Sequence, residues 1–110
     1  MTKKHIKKKD VVPPQLIGVL ADAVAIGATS FRLQPNGPHI MACFAAGSQA
    51  TEIDFEAWGG QEMLDYLANQ VTDPQSKAGR FVLEYDGKRY ACQVTLDRRR
   101  GPQRAEVTWT

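Results

Sequence analysis

The hydrophobic pattern changes period several times along the chain, and each change marks an element. Pro13-Pro14 prepares a helix start, because proline in the first helical turn loses no hydrogen bond and has its φ pre-set. From Pro14 to Ile26, Leu16, Ile17, Leu20, Ala23 and Val24 repeat at helical spacing, and Val19 and Ile26 widen the stripe until only Gln15 and Asp22 interrupt it. Such a helix is expected to pack on more than one side, with Gly27 as the left-handed residue that ends it. From Ser30 the period becomes two, Phe31 and Leu33 alternating with Arg32 and Gln34, until the turn-rich Pro35-Asn36-Gly37-Pro38. His39 to Ala45 returns with Ile40, Ala42 and Phe44 on one face and Met41 and Cys43 on the other. Both faces are apolar, which predicts a central strand.

Ala46 to Gln49 breaks the pattern and leaves Glu52 to Phe55 as at most a short edge piece. Gln61 to Val71 then sets Met63, Leu64, Leu67 and Val71 opposite Glu62, Asp65 and Asn69, an amphipathic helix that stops before Asp73-Pro74. Arg80 to Tyr85, Asp86-Gly87 and Lys88 to Leu96 form the strongest local signal, a two-residue hairpin whose turn requires positive φ. Counting back from the turn pairs Glu84 with Arg89, Leu83 with Tyr90 and Phe81 with Cys92. A second reversal at Arg98 to Pro102 leads into Ala105, Val107 and Trp109, alternating with Glu106 and Thr108. The expected class is α+β: a small antiparallel or mixed sheet of about five strands with two helices, in the order α-β-β-α-β-β-β.

A length of 110 residues suits one domain with one core. With 43% hydrophobic and 24% charged residues the composition is that of an ordinary globular domain. The longest apolar run, Leu16 to Ala28, is too short to cross a bilayer and is broken by Gly18, Asp22 and Gly27. The basic N-terminus lacks the cleavage pattern of a secretory signal, so a cytoplasmic location is expected. Residues 1–12 are read as a flexible basic tail and 13–110 as the single domain.

Net charge is +2 but unevenly spread: five lysines open the chain, and residues 10 to 76 then hold one base, Arg32, against eight acids. Lys7, Lys8 and Lys9 in the tail and the run Arg98-Arg99-Arg100 are the candidate contacts for a partner or for phosphate. Stacking aromatics or a reading helix, the usual additions in nucleic-acid modules, are missing beside that run. A solvated turn and tail accounts for these bases, with an acidic protein or lipid surface and generic nucleic acid as the alternatives. Glu52, Asp54, Glu56, Glu62, Asp65 and Asp73 make an acidic flank in which Asp54 and Glu56 imitate a carboxylate pair, although a solvated edge accounts for them.

Chemical motifs are scarce. Gly87-Lys88 is followed by arginine and lies in a hairpin turn, so it is no phosphate loop. The two histidines, His5 and His39, support neither a triad nor a metal cluster, and His39 reads as a solvated residue at the start of a strand. Cys43 and Cys92 lack Cys-x-x-Cys spacing and read as small buried hydrophobes. No catalytic residue, metal or cofactor is expected.

Gly27-Ala28-Thr29-Ser30-Phe31-Arg32-Leu33-Gln34-Pro35 resembles the Gly-Ala-Ser-Asp-Ile-His-Leu-Glu-Pro signature in the N-terminal domain of type II secretion and type IV pilus assembly ATPases. The family's next strand ends in an Arg-aliphatic-Asp-Gly turn, where this chain has Phe44-Ala45-Ala46-Gly47. An amphipathic helix follows, then a strand opening like Gly79-Arg80-Phe81 and two further strands, so the likeness spans about residues 14 to 109. The signature's Asp and His are replaced by Ser30 and Arg32, the turn arginine by Phe44, and an arginine of the later strand by Gln93. The resemblance implies a noncatalytic assembly role in a bacterial cytoplasm beside a secretion or pilus machine, since the family's hydrolytic chemistry belongs to a separate C-terminal domain. Ending on Val107-Thr108-Trp109-Thr110 suits either a tethered accessory or an independent protein.

Overall fold

The computed structural model describes residues 12–71, 78–97 and 104–110. Helix α1, Pro14–Ala25, begins where Pro13 and Pro14 pre-set the backbone and buries Leu16, Val19, Leu20 and Ala23. That spacing of three, one and three residues is a single helical stripe, and Ile17, Val24 and Ile26 pack half-buried along its margins. Gly27 ends the helix at φ +85°, as expected, while the Ala28 N–H returns to the Ala23 carbonyl at 2.9 Å.

Three strands follow, not two: β1 (Ser30–Asn36), β2 (His39–Ala46) and β3 (Gln49–Phe55). The expected short edge piece is thus a seven-residue strand in register with β2 from Ala46↔Gln49 to Ile40↔Phe55. Gly47, at φ +59°, supplies the left-handed conformation of the intervening turn, a hairpin signal hidden in what had read as a break. Helix α2, Ala57–Asn69, starts four residues before the expected Gln61. Gly59 and Gly60 disfavour a helix by propensity, but here they are buried in its first turn. A Cβ on Gly60 would stand 2.3 Å from Ile40 Cβ, so the glycine is what lets α2 approach β2.

Strands β4 (Ala78–Tyr85), β5 (Lys88–Asp97) and β6 (Arg104–Trp109) complete the chain. The hairpin turn carries Asp86 at φ 53° and Gly87 at φ 74°, and its register matches the expected pairs Glu84↔Arg89, Leu83↔Tyr90 and Phe81↔Cys92. The observed order is α-β-β-β-α-β-β-β, and all six strands lie in one antiparallel sheet ordered β3-β2-β1-β6-β5-β4. The first and last strands meet at its centre, where Phe31 faces Val107 and Leu33 faces Ala105.

Both helices cover the same face of this sheet. Beneath them Phe31, Leu33, Ala42, Leu83, Cys92, Val94, Leu96, Ala105 and Val107 form a continuous apolar layer. Phe31 and Trp109 pack with ring centroids 5.8 Å apart, and Tyr66 of α2 meets Phe81 edge-on at 5.9 Å. Between the helices, Gln15 Nε2 donates to Glu62 Oε1 at 2.8 Å. Strand β2 lies between two neighbours, as its two apolar faces suggested, but only the face with Ala42 and Phe44 is buried.

Gly79 sets the other end of the fold. A Cβ there would lie 2.0 Å from the Gln70 carbonyl oxygen, a backbone atom that no rotamer change can move aside. Replacement of Gly79 by alanine, and of Gly60 by alanine, is therefore expected to cost about 1–3 kcal/mol each, Gly79 at the upper end. Gly59→Ala meets only Gln15 Nε2, at an ordinary contact distance of 3.4 Å, and should change stability by less than about 1 kcal/mol. Urea unfolding midpoints of the three variants test that ranking.

Candidate interaction surface

The face of the sheet opposite the helices is built by the alternate residues of every strand, and their parity follows from the core. Because Phe31 and Leu33 point inward, Ser30, Arg32 and Gln34 point outward. Register then lays Glu52, Cys43, Arg32, Glu106, Thr95 and Ala78 in one row across all six strands. Arg104 faces Asp97 in the row beyond, and Arg80, Gln93, Thr108 and Ser30 make up the row on the other side. The surface is polar, open and rigidly supported, since each side chain stands on a paired strand.

Two open concavities lie on it. One, of about 570 Å³, is walled by Arg32, Thr95, Asp97, Arg104 and Glu106. The other, of about 420 Å³, lies among Arg80, Val82, Ala91, Gln93, Thr108 and Thr110. Ion pairs in which both residues are described join His39 to Asp54 and Arg89 to Glu84, the latter exposed and 3.7 Å long. Arg32, Arg80 and Arg104 thus present guanidinium forks that no described carboxylate occupies, on a face where a planar, bidentate acceptor can reach them.

At one corner of the same face, the end of the β1–β2 hairpin meets β3. Asn36 and His39 are cross-strand partners, and Asp54 lies opposite Met41. His39 Nδ1 bonds Asp54 Oδ2, and Asn36 Nδ2 donates to Asp54 Oδ1 at 3.2 Å. His39 therefore has an orienting carboxylate, contrary to the expectation of a merely solvated ring. The bond to Asp54, reinforced by that carboxylate's charge, raises the imidazole above its ordinary value. Asp54 is held below the ordinary carboxylate range, chiefly by the same bond and further by Asn36. This engagement removes the apparent Asp54–Glu56 acid–base pair: Asp54 is committed to His39, and Glu56 stands at the start of α2.

The expected acidic flank divides accordingly. Glu52 and Asp54 lie on the open face at the β3 edge, whereas Glu62 and Asp65 lie on α2, where they accept from Gln15 and Gln61. Of the two cysteines only Cys43 differs from expectation. Cys92 is buried, its thiol pushed up to about 11 by burial, but Cys43 is half-buried on the open face between Glu52 and Arg32. Burial and then the Glu52 charge raise the Cys43 thiol, which keeps it protonated rather than nucleophilic.

The candidates Lys7, Lys8, Lys9, Arg98, Arg99 and Arg100, like Asp73 and the second reversal, lie outside the described residues. The open-face arginines are instead the ones that the fold brings to a common surface. Each was readable as outward-facing from its own strand's alternation. Their assembly into one surface needed the β1–β6 pairing, which local sequence does not encode.

The sign of the pH dependence follows from the two shifts. His39 stabilises the fold below its ordinary value near 6.5, and this contribution is lost as pH rises through its raised folded value. Asp54 stabilises above its ordinary value near 4, and that contribution is lost as pH falls through its lowered folded value. The pair is whole between about pH 4 and 6.5. Titration of His39 by NMR should give an elevated pKa that Asp54→Asn returns toward the ordinary value; an unshifted wild-type His39 would refute the assignment.

No protein-family model matches the chain, and no curated protein matches it in sequence. Among solved structures, it is similar to the ATPase DotB of Legionella pneumophila, with a TM-score of 0.54 and 13% identity over 99% of this chain. The chain spans 30% of the length of that ATPase, and at this identity the likeness is one of fold.

Proposed function

We propose that this chain is a noncatalytic protein-interaction and assembly domain, and that its docking surface is the open sheet face around Arg32 and Arg104. The observation that carries the proposal is the set of guanidinium groups held on a face that neither helix covers, none of them in either of the ion pairs named above, with Glu106 and Asp97 as the cross-strand neighbours of Arg32 and Arg104. A flat, paired sheet presents such groups with little conformational freedom to lose on binding, which favours association. The complementary partner is a protein surface bearing exposed carboxylates.

Two likenesses, one of sequence and one of fold, are in keeping with an assembly role next to an ATPase. The Gly27 to Pro35 segment resembles the signature of the secretion and pilus ATPases' N-terminal domain, and the fold resembles part of an ATPase that is about three times longer. On this reading the chain works in a bacterial cytoplasm as an adaptor of a secretion or pilus machine. Among the described residues no helix is long and apolar enough to cross a membrane.

The test is affinity capture from lysate with the intact chain, the double variant Arg32→Glu/Arg104→Glu, and a variant with Arg98, Arg99 and Arg100 reversed to glutamate. A specific protein partner should be retained by wild type and fall at least about tenfold with the Arg32/Arg104 variant, as expected for oppositely charged docking surfaces. Equal recovery by wild type and the Arg32/Arg104 variant would remove the open face from the proposal. Salt-sensitive binding of generic DNA or RNA, lost with the Arg98 to Arg100 reversal, would assign the chain to nucleic acid instead.

A further inference from the structure

The two edges of the sheet are not alike. Among the described strands β3 ends one side and β4 the other, each with one described neighbour. Natural edge strands are normally guarded by lysine, proline, a bulge or an inconvenient charge, because their unpaired N–H and C=O groups otherwise recruit another strand. On β3 the guard is charge. An antiparallel pairing of β3 with a second β3 centred on Glu52, Ile53 or Asp54 sets carboxylates against carboxylates across the join.

From Arg80 to Glu84, strand β4 shows no such guard among the described residues. It runs eight residues, Ala78–Tyr85, without proline or lysine, and its register with β5 is unbroken from Ala78↔Thr95 to Tyr85↔Lys88. Val82 stands 44% exposed on the open face, with Arg80 on one side of it and Glu84 on the other. That triplet is self-complementary. When β4 meets a second β4 antiparallel about a two-fold axis through Val82, Val82 contacts its own copy, and Arg80 of each chain faces Glu84 of the other. On the helix-covered face, half-buried Phe81 of each chain then lies beside the join, opposite Leu83 of the other, which its own chain already buries.

We propose that the β4 edge is a homodimer interface, in which two copies of this chain join β4 to β4 antiparallel and form one continuous twelve-stranded sheet. The join leaves the Arg32 and Arg104 concavity of each copy open, so it holds independently of the partner proposed for that face. Glu84 keeps its exposed Arg89 neighbour and gains the second copy's Arg80, while Arg80, which has no described carboxylate partner within a chain, acquires one. Closure about the two-fold axis also consumes both β4 edges, which limits growth to the dimer.

Sedimentation velocity across a concentration series tests this with the full chain and two charge-reversal variants, Arg80→Glu and Glu84→Arg. Wild type should pass from monomer to dimer with rising concentration and no further. Each variant alone opposes like charges at both outer pairs and should dimerise at least about tenfold more weakly, whereas an equimolar mixture restores opposite charges at both pairs and should recover the dimer. Circular dichroism verifies that both variants remain folded; their positions are solvent-facing. Overturning results are a wild type monomeric throughout the series, an Arg80→Glu dimer as tight as wild type, a mixture no stronger than its components, or growth of wild type beyond two chains.

Discussion

The pairing of β1 with β6 holds the molecule together. It joins the first strand of the chain to the last, and with it two three-stranded antiparallel meanders become one sheet. Four residue pairs, Ser30↔Thr108 to Leu33↔Ala105, make the contact. Its inward-facing members are among the most completely buried side chains, with Phe31 packed on Trp109 and Leu33 against Ala105. Loop closure across so much intervening chain is entropically costly, so this seam forms only if the apolar layer beneath it forms too. The two helices supply that layer.

The same seam creates the outward surface. Arg32 stands on β1 and Arg104 on β6, with Glu106 in the row between Arg32 and Thr95. Without the central pairing these groups would belong to separate hairpins. With it they share one concavity, while the core side remains free of buried charged or polar residues among those described. Fold stability and surface chemistry are thus divided between the two faces of each strand. A change on the open face alters surface chemistry with little effect on packing, and Gly60 or Gly79 on the other side does the reverse.

The places where local reading and structure part company have identifiable causes. Helix α2 begins at Ala57 although Gly59 and Gly60 argue for a later start, because close packing on Ile40 outweighs about 1 kcal/mol of propensity per glycine. Strand β3 extends back to Gln49 because a turn with Gly47 delivers it to β2, and seven backbone pairings outweigh its weak, acidic alternation. His39 is oriented because Asp54, fifteen residues away in sequence, arrives beside it when β3 adds to β2. For α2 and His39 the deciding neighbour is distant along the chain and adjacent in space, whereas for β3 it is the local Gly47 turn.

What the residues determine by themselves is everything that depends on near neighbours: the helix between Pro14 and Gly27, the Asp86-Gly87 hairpin and its register, the two-residue alternation of Phe31, Leu33, Ala105, Val107 and Trp109, and the α+β class. These follow from steric limits on φ and from the periods of helix and strand, which act over a few residues. Tertiary structure alone decides the strand order, the sixth strand, the partner of His39 and the common surface of Arg32, Arg80 and Arg104. Those depend on which meander meets which. That choice is made by burial of a shared apolar layer, a property of the folded whole rather than of any segment.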